Sequence, residues 1–105
     1  MPTFLLISRH SPENCPMFNE KARKMILQLV NKMEELLKKH GVKMVGGWAV
    51  HSEHLMFWVY EAPSLEAFQK LGMEPEILAW SAYNTVEMKL AIGAEETMKR
   101  LTQAK

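Results

Sequence analysis

The order in which hydrophobic periodicity changes along this chain constrains its fold more than any other feature of the sequence. Short β-rich segments and segments with apolar residues at three- and four-residue spacing alternate in the order β–α–β–β–α–β. Proline at first-turn positions and glycine after helical runs mark the boundaries. The predicted elements are a strand (3–10), a helix (17–40), a hairpin of two strands (42–61), two short helices (64–72 and 75–82), a strand (85–91) and a terminal helix (94–101).

This order predicts an α+β fold with the ferredoxin-like βαββαβ topology. Because each β–α–β half crosses over with a right hand, we expect a four-stranded antiparallel sheet with helices on one face. The length of 105 residues fits one such domain, spanning residues 1–105. The hairpin is apolar on both faces, one with Trp48 and Phe57 and the other with Trp58 and Tyr60. Helices on one side leave the second of these faces exposed, and a symmetric homodimer is its simplest cover.

Net charge and cysteine content limit the classes of binding partner and the cellular compartment that the sequence predicts. The net charge is +1 without a basic stripe, which argues against nucleic acid and membrane as partners. No apolar run reaches the about 18 residues of a transmembrane helix, and residues 1–7 lack the basic region and cleavage site of a signal peptide. Cys15 is the only cysteine, so no internal disulfide forms. These features predict a cytoplasmic protein.

Four candidate functional residues, His10, Cys15, His51 and His54, fall at one end of the predicted sheet. The first strand ends there, the first helix begins there, and the hairpin turns there. Cys15 precedes Pro16 at the start of the predicted helix, where unpaired N–H groups and the positive end of the helix dipole favour a reactive thiolate. The alternative for Cys15 is a small residue that fills a loop.

The polar segment at 51–54 sets the expected register of the hairpin. A tight turn at 52–53 places two histidines on one sheet face, at the mouth of an aromatic region. The residues then opposite each other are His51 and His54, Ala49 and Met56, and Gly47 and Trp58. The glycine pair at 46–47 is explained most simply by the room that Trp58 needs on the neighbouring strand; the alternative is a β-bulge or a close approach of a ligand or of a partner's backbone.

The side chains at this end suit metal binding or acid–base catalysis. Imidazole nitrogen and thiolate sulfur bind zinc, copper, nickel or iron, so His10, Cys15, His51 and His54 are candidate metal ligands. The same four are candidate catalytic residues, because the histidine pKa lies near neutrality. Their spacing matches no established finger or metalloprotease motif, so the cofactor stays open. Alternatively, His51 and His54 are polar turn residues that keep the hairpin soluble.

Aromatic and sulfur-containing residues predict a ligand pocket between the sheet and the helices. The candidate pocket residues are Met56, Trp58, Tyr60, Trp80 and Tyr83. Such a lining suits a small apolar or aromatic molecule. The alternative is that the tryptophans belong to the core and to a subunit interface.

Three stretches of sequence resemble the dimeric α/β-barrel superfamily. They are His-Ser-Pro-Glu-Asn-Cys-Pro at 10–16, Ser-Glu-His at 52–54 before a hydrophobic strand that ends in Glu-Ala-Pro at 61–63, and Glu-Pro-Glu-Ile-Leu-Ala-Trp at 74–80. The resemblance is to an uncharacterised family of small proteins and covers nearly the whole chain. It implies the ferredoxin-like fold and a homodimer. Because the superfamily includes isomerases, antibiotic-biosynthesis-type monooxygenases and haem-degrading proteins, it implies no single reaction.

These observations leave three functions open. The first is a small-molecule-binding protein, or a small enzyme of isomerase or cofactor-free oxygenase type, with its pocket between sheet and helices. The second is a metal- or haem-binding protein that uses the histidines and the cysteine. The third is a ligand-sensing or assembly module without chemistry. Whether the chain is an enzyme is not decided by its sequence.

Overall fold

The computed structural model describes residues 1–104 and contains four strands and four α-helices. In chain order these elements are β1 (Thr3–Arg9), α1 (Glu20–His40), β2 (Lys43–Val50), β3 (Leu55–Glu61), α2 (Leu65–Gly72), α3 (Pro75–Ser81), β4 (Thr85–Ala91) and α4 (Ala94–Gln103). Single 3₁₀ turns lie at Pro12–Asn14 and His51–Glu53. Within the described residues, no helix is both long and apolar enough to span a membrane.

The four strands form one antiparallel sheet in the order β2–β3–β1–β4. This order confirms the predicted α+β, ferredoxin-like βαββαβ topology. Leu6, at the middle of β1, lies opposite Trp58 of β3 and Met88 of β4. A strand with a hydrogen-bonded neighbour on each side is central, which accounts for the unbroken apolar sequence of β1.

Helix α1 begins later than predicted. Asn19 is its N-cap and accepts a hydrogen bond from the backbone N–H of Ala22 at 3.0 Å, and Glu20 is its first residue. The stretch before it is a turn, in which the carbonyl of Cys15 accepts hydrogen bonds from Phe18 and Asn19. The prediction that Cys15 lies at the start of α1, within reach of the helix dipole, is therefore wrong.

The helices cover the sheet face that carries Trp58 and Tyr60. In the core on this side, the rings of Phe4 and Phe68 stack with their centroids 4.8 Å apart, and Tyr60 packs against Phe68. The prediction that the Trp58 face is the uncovered one is wrong. Since both faces of the hairpin are apolar, alternation alone does not tell which one the right-handed crossovers bring under the helices.

The uncovered face carries Trp48 and Phe57, which lie opposite each other on β2 and β3. The Trp48 side chain is 59% exposed. A β-bulge at Val45 shifts the register, so that Met44 pairs with Tyr60 and joins the helix side instead of the Trp48 side. The sheet therefore has one covered apolar face and one apolar face that its own helices leave open.

Helix α4 makes little contact with the rest of the chain. It buries none of its residues, and Met98 and Leu101 on its apolar side are exposed. The molecule is accordingly elongated, with extents of 56, 32 and 17 Å.

Candidate functional site

Strand pairing brings His10 and His54 together. Arg9, the last residue of β1, lies opposite Leu55, the first residue of β3. His10 and His54 are the next residues outward, and the backbone N–H of His10 donates to the carbonyl of His54 at 3.1 Å. Their adjacency is therefore fixed by the sheet itself and does not depend on flexible loops.

The two imidazole rings face each other through nitrogen atoms. His54 Nδ1 lies 3.3 Å from His10 Nε2, and the rings meet edge to face with their centroids 5.1 Å apart. One proton shared between these nitrogens makes a hydrogen bond when both rings are neutral. Burial, and then the neighbouring His54, lower the pKa of His10 below its usual value. His10 is therefore a neutral imidazole near pH 7, with a lone pair available to a proton or a metal ion.

Cys15 completes a cluster with the two histidines. The ligand atoms of His10, Cys15 and His54 all lie within 4.8 Å of one another, and we call these three residues the His/Cys cluster. Cys15 is only 7% exposed. Its backbone N–H donates to the carbonyl of Pro12, which closes the 3₁₀ turn and aims this residue toward the end of β1.

His54 adopts an uncommon backbone conformation. Its φ of 53° and ψ of 42° lie in the left-handed region, and within residues 1–104 it is the one non-glycine residue with positive φ. This region costs an L-residue about 1–2 kcal/mol, although histidine visits it more often than most residues. Such strain persists where surrounding structure enforces it, and it often marks functional sites.

His51 does not join the cluster. It is exposed and starts the 3₁₀ turn, which occupies the place of the predicted two-residue turn. The predicted register is nevertheless confirmed, with Ala49 opposite Met56 and Gly47 opposite Trp58. Of the four predicted site residues the structure thus brings three together and leaves His51 outside.

A larger cavity of about 260 Å³ lies between the sheet and helices α1, α2 and α3. Three predicted pocket residues, Trp58, Tyr60 and Trp80, line it. Burial raises the pKa of Tyr60 to about 12, so its phenol stays protonated. Trp58 is oriented by its indole N–H, which donates to the hydroxyl of the fully buried Ser8 at 3.2 Å.

A smaller cavity of about 20 Å³ lies beside the His/Cys cluster. His10 lines it together with the other two predicted pocket residues, Met56 and Tyr83. Trp80 and Ile26 line both cavities and so form the wall between them. The predicted pocket is therefore two compartments, with Trp80 between them.

Sequence reasoning missed the contribution of α1 to the larger cavity. Ile26, Leu29 and Met33 line it from the apolar side of that helix. Their three- and four-residue spacing is evident in the sequence, but a helix that only packs against the core has the same spacing. Ser8 was missed as well, because one polar residue at the end of an apolar strand gives no sign of a buried partner.

The opposite end of the molecule holds the remaining histidine. His40 Nε2 lies 3.2 Å from Glu74 Oε1, and Lys39 Nζ lies 2.8 Å from the same oxygen. We call these residues the ion-pair cluster. Hydrogen bonds from Lys39 and then from His40 lower the pKa of Glu74. The cluster joins the last turn of α1 to the N-cap of α3.

The chain belongs to the DUF3303 family, described as a domain of unknown function, which it matches over residues 3–105. Comparison with curated proteins gives no match. Among solved structures, the chain is similar to protein Atu4242 from Agrobacterium tumefaciens, with a TM-score of 0.58, 17% identity and coverage of 90% of this chain and 94% of that one. It is also similar to an antibiotic biosynthesis monooxygenase, with a TM-score of 0.59, 11% identity and coverage of 90% and 99%. At these identities the likeness concerns the fold.

Proposed function

We propose that this member of the DUF3303 family binds a small, mainly apolar molecule in the larger cavity. The observation that carries the proposal is the cavity volume of about 260 Å³ within an apolar lining. An apolar cavity of about 150 Å³ already admits benzene, and pockets for drug-sized ligands begin near about 300 Å³. The volume therefore fits a molecule of one or two fused rings, or a short branched aliphatic compound.

Few polar groups face this cavity, and they limit the chemical classes of ligand that it can bind. Ser81 lines the cavity, but its hydroxyl already donates to the carbonyl of Leu78 at 2.9 Å. The protonated phenol of Tyr60 is therefore the donor available to a ligand. A ligand with one hydroxyl or carbonyl group would satisfy such a donor, whereas a charged ligand would lose its hydration without a partner. We therefore place phenols, naphthols and related ketones first among the candidates.

A more specific version of this proposal is that the protein catalyses a reaction of the molecule that it binds. The fold is shared with an antibiotic biosynthesis monooxygenase, and His10 is a neutral base behind Trp80. Oxygenase or isomerase chemistry requires that a bound ligand reach His10 past Trp80. Oxygen consumption with naphthol-type substrates, compared between the parent and His10→Gln, tests this form separately from binding.

Calorimetric titration with 2-naphthol tests the binding proposal. Gly72 lines the larger cavity, and a side chain added there meets no atom within 4 Å at its Cβ. We expect Gly72→Leu to fill part of the space and to weaken binding at least about tenfold, as overlap with a ligand requires. Gly93→Leu is the matched control, because its Cβ also meets nothing within 4 Å but Gly93 lies outside the cavity lining.

Either of two results would contradict the proposal. One is a folded parent that binds none of the phenol, naphthol and ketone probes. The other is equal binding by Gly72→Leu and Gly93→Leu, because occupancy of the cavity must be sensitive to its filling.

We also propose that two copies associate through the uncovered sheet face. Its apolar surface carries Trp48 and Val45, which are 59% and 53% exposed. Glu87 and Lys89 lie on the same face at the opposite edge of the sheet, on β4, with their charged atoms 3.8 Å apart. A two-fold axis can place Glu87 of one copy near Lys89 of the other, so the face is self-complementary.

Light scattering after size-exclusion chromatography measures the assembly. We expect a dimer for the parent and a folded monomer for Trp48→Lys. Leu27→Lys is the control, since Leu27 is an exposed apolar residue of α1 on the other side of the molecule. A monomeric parent, or a Trp48→Lys variant that remains dimeric, would rule out this interface.

A further inference from the structure

We infer that His10, Cys15 and His54 form a binding site for one zinc ion, with three protein ligands and an open fourth position. This inference goes beyond the binding of a small molecule in the larger cavity and does not depend on it. The ligands come from three separate segments: the residue after β1, the residue after the first 3₁₀ turn and the residue before β3.

The spacing of the ligand atoms is close to what zinc requires. Tetrahedral zinc, with bonds of about 2.0–2.1 Å to nitrogen and about 2.3 Å to sulfur, holds its ligand atoms roughly 3.3–3.8 Å apart. The two histidine nitrogens are already separated by 3.3 Å. All pairs in the cluster lie within 4.8 Å, so the thiolate sulfur needs to approach by no more than about 1.5 Å. A change of side-chain angle at Cys15 supplies such a movement.

The side chains of the cluster are those of a metal site, because they offer lone pairs and include no carboxylate partner as an ion pair would. Within the described residues, neither His10 nor His54 forms a salt bridge with a carboxylate, whereas His40 does. The short contact between the two ring nitrogens uses at most one proton, and the buried sulfur of Cys15 is free of any disulfide. A cation that accepts three lone pairs satisfies all three groups at once.

The backbone holds the three ligands in place before any ion arrives. His10 is hydrogen-bonded to His54 through the main chain, and the carbonyl of Cys15 accepts two N–H groups from the following turn. His54 keeps its left-handed conformation although this conformation is unfavourable for its residue type. A preorganised cluster loses little conformational entropy on binding, which raises its affinity.

The smaller cavity offers room for a water at the fourth position, on the side of His10, which is the ligand residue that lines it. Its volume of about 20 Å³ holds about one water molecule, for which about 10–15 Å³ suffices. His10, Tyr83 and Asn84 line it. The side-chain amide of Asn84 donates to the carbonyl of Trp80 at 2.8 Å, which leaves its oxygen free to accept a hydrogen bond from a water in this cavity. Three protein ligands and one water are the arrangement of zinc sites that carry out chemistry, as opposed to closed structural sites.

The donor set selects the class of metal. Two imidazoles and one thiolate exclude magnesium and calcium, which prefer oxygen, and favour borderline-soft transition ions. We assign zinc because a tetrahedral arrangement of nitrogen and sulfur suits it.

The test uses untagged protein stripped with a chelator and then titrated with zinc chloride in a calorimeter, with elemental analysis of the reloaded sample. We expect one zinc per chain. His54→Asn and Cys15→Ser should weaken binding by at least about 10–100-fold, since changing a residue that only supports a metal ligand already costs that much. Asparagine is chosen at position 54 because it tolerates the left-handed backbone, so the loop keeps its shape. His51→Ala and His40→Gln are matched controls and should bind as the parent does.

Cobalt gives a second readout that does not depend on affinity. The cobalt-loaded parent should show a thiolate charge-transfer band in the near ultraviolet and intense visible bands typical of tetrahedral coordination. Cys15→Ser should lose the charge-transfer band. Zinc binding that is unchanged in both His54→Asn and Cys15→Ser, or a cobalt spectrum without a thiolate band in the parent, would overturn the inference.

Discussion

The two ends of this molecule use histidine in opposite ways. In the ion-pair cluster, His40 and Lys39 converge on the carboxylate of Glu74, and the group links α1 to α3. In the His/Cys cluster, two imidazoles and a thiol converge on one another without a salt bridge to a carboxylate in the described part of the chain. The first arrangement is complete as a structural contact. The second presents three groups that can each give a lone pair to one metal ion, and for this reason we propose that chemistry takes place at that end.

The largest effect that we expect to differ between the two ends is the increase in the free energy of unfolding caused by zinc. An ion that binds only the folded state at a concentration about 1,000 times its Kd raises the free energy of unfolding by about 4 kcal/mol. We expect an increase of this size for the parent in denaturant titrations. His40→Gln should retain the increase, and His54→Asn should lose it. Equal increases in both variants would remove the distinction between the two ends.

A substitution that alters packing between the two clusters distinguishes the effect of zinc binding from a general change in stability. A Cβ added to Gly47 would lie 2.7 Å from the Trp58 ring, so Gly47→Ala should lower the free energy of unfolding by about 1–3 kcal/mol. Gly46→Ala is the control, because its added Cβ meets only the tip of the exposed Trp48 ring. The increase due to zinc should be the same in both variants, since neither touches a ligand. A smaller increase in Gly47→Ala alone would mean that the packing of Trp58 shapes the cluster.

Removing the imidazole should have opposite effects on stability at the two ends. Without zinc, His54→Gly relieves the left-handed strain, and we expect it to be more stable than the parent by about 0.5–1 kcal/mol after the entropic penalty of glycine. His40→Gln should be less stable than the parent, because Glu74 loses one of its two partners. Thermal unfolding of the two metal-free variants measures both signs. Loss of stability in His54→Gly would show that its ring contributes more to packing than its backbone conformation costs.

The smallest effect concerns pH at the ion-pair cluster. Because Lys39 and His40 lower the pKa of Glu74 in the folded state, the carboxylate binds protons less readily there than in the unfolded chain. Its stabilising contribution is therefore present above the usual glutamate pKa of 4.5 and is lost as the pH falls through the lowered folded value. Glu74→Gln should reduce the acid-dependent part of the unfolding curve. Glu66→Gln, in an exposed pair with Lys70, should leave that part unchanged.

Much of the fold was predictable because local signals agreed with one another. The bounds of β4 are those predicted, and Ser64 caps α2 by accepting a hydrogen bond from the backbone N–H of Ala67. The hairpin register followed from one polar segment between two apolar ones. In each case, side-chain alternation, turn residues and capping chemistry pointed to the same structure.

The errors arose where one pattern fits two structures. Pro16 suits the first turn of a helix and also the turn that precedes one, and the cap at Asn19 decided between them. Both faces of the hairpin are apolar, so the covered face depended on the path of the crossovers. The left-handed His54 is a backbone feature without a glycine or asparagine to announce it. The bulge at Val45 adjoins Gly46, but glycine in a strand indicates either a bulge or room for a neighbouring side chain. The proximity of His10, Cys15 and His54 was predicted only coarsely, as a shared end of the sheet.

Trp80 and Ile26 line both cavities, and this shared wall would couple the two proposed occupants thermodynamically. A molecule in the larger cavity that displaces the Trp80 indole changes the space beside His10, and with it the affinity of that end for its own ligand. Linkage then requires that the ligand at the His/Cys cluster change the affinity of the larger cavity by the same factor. Movement of a single tryptophan would thus let each of two chemically different ligands change the affinity of the protein for the other.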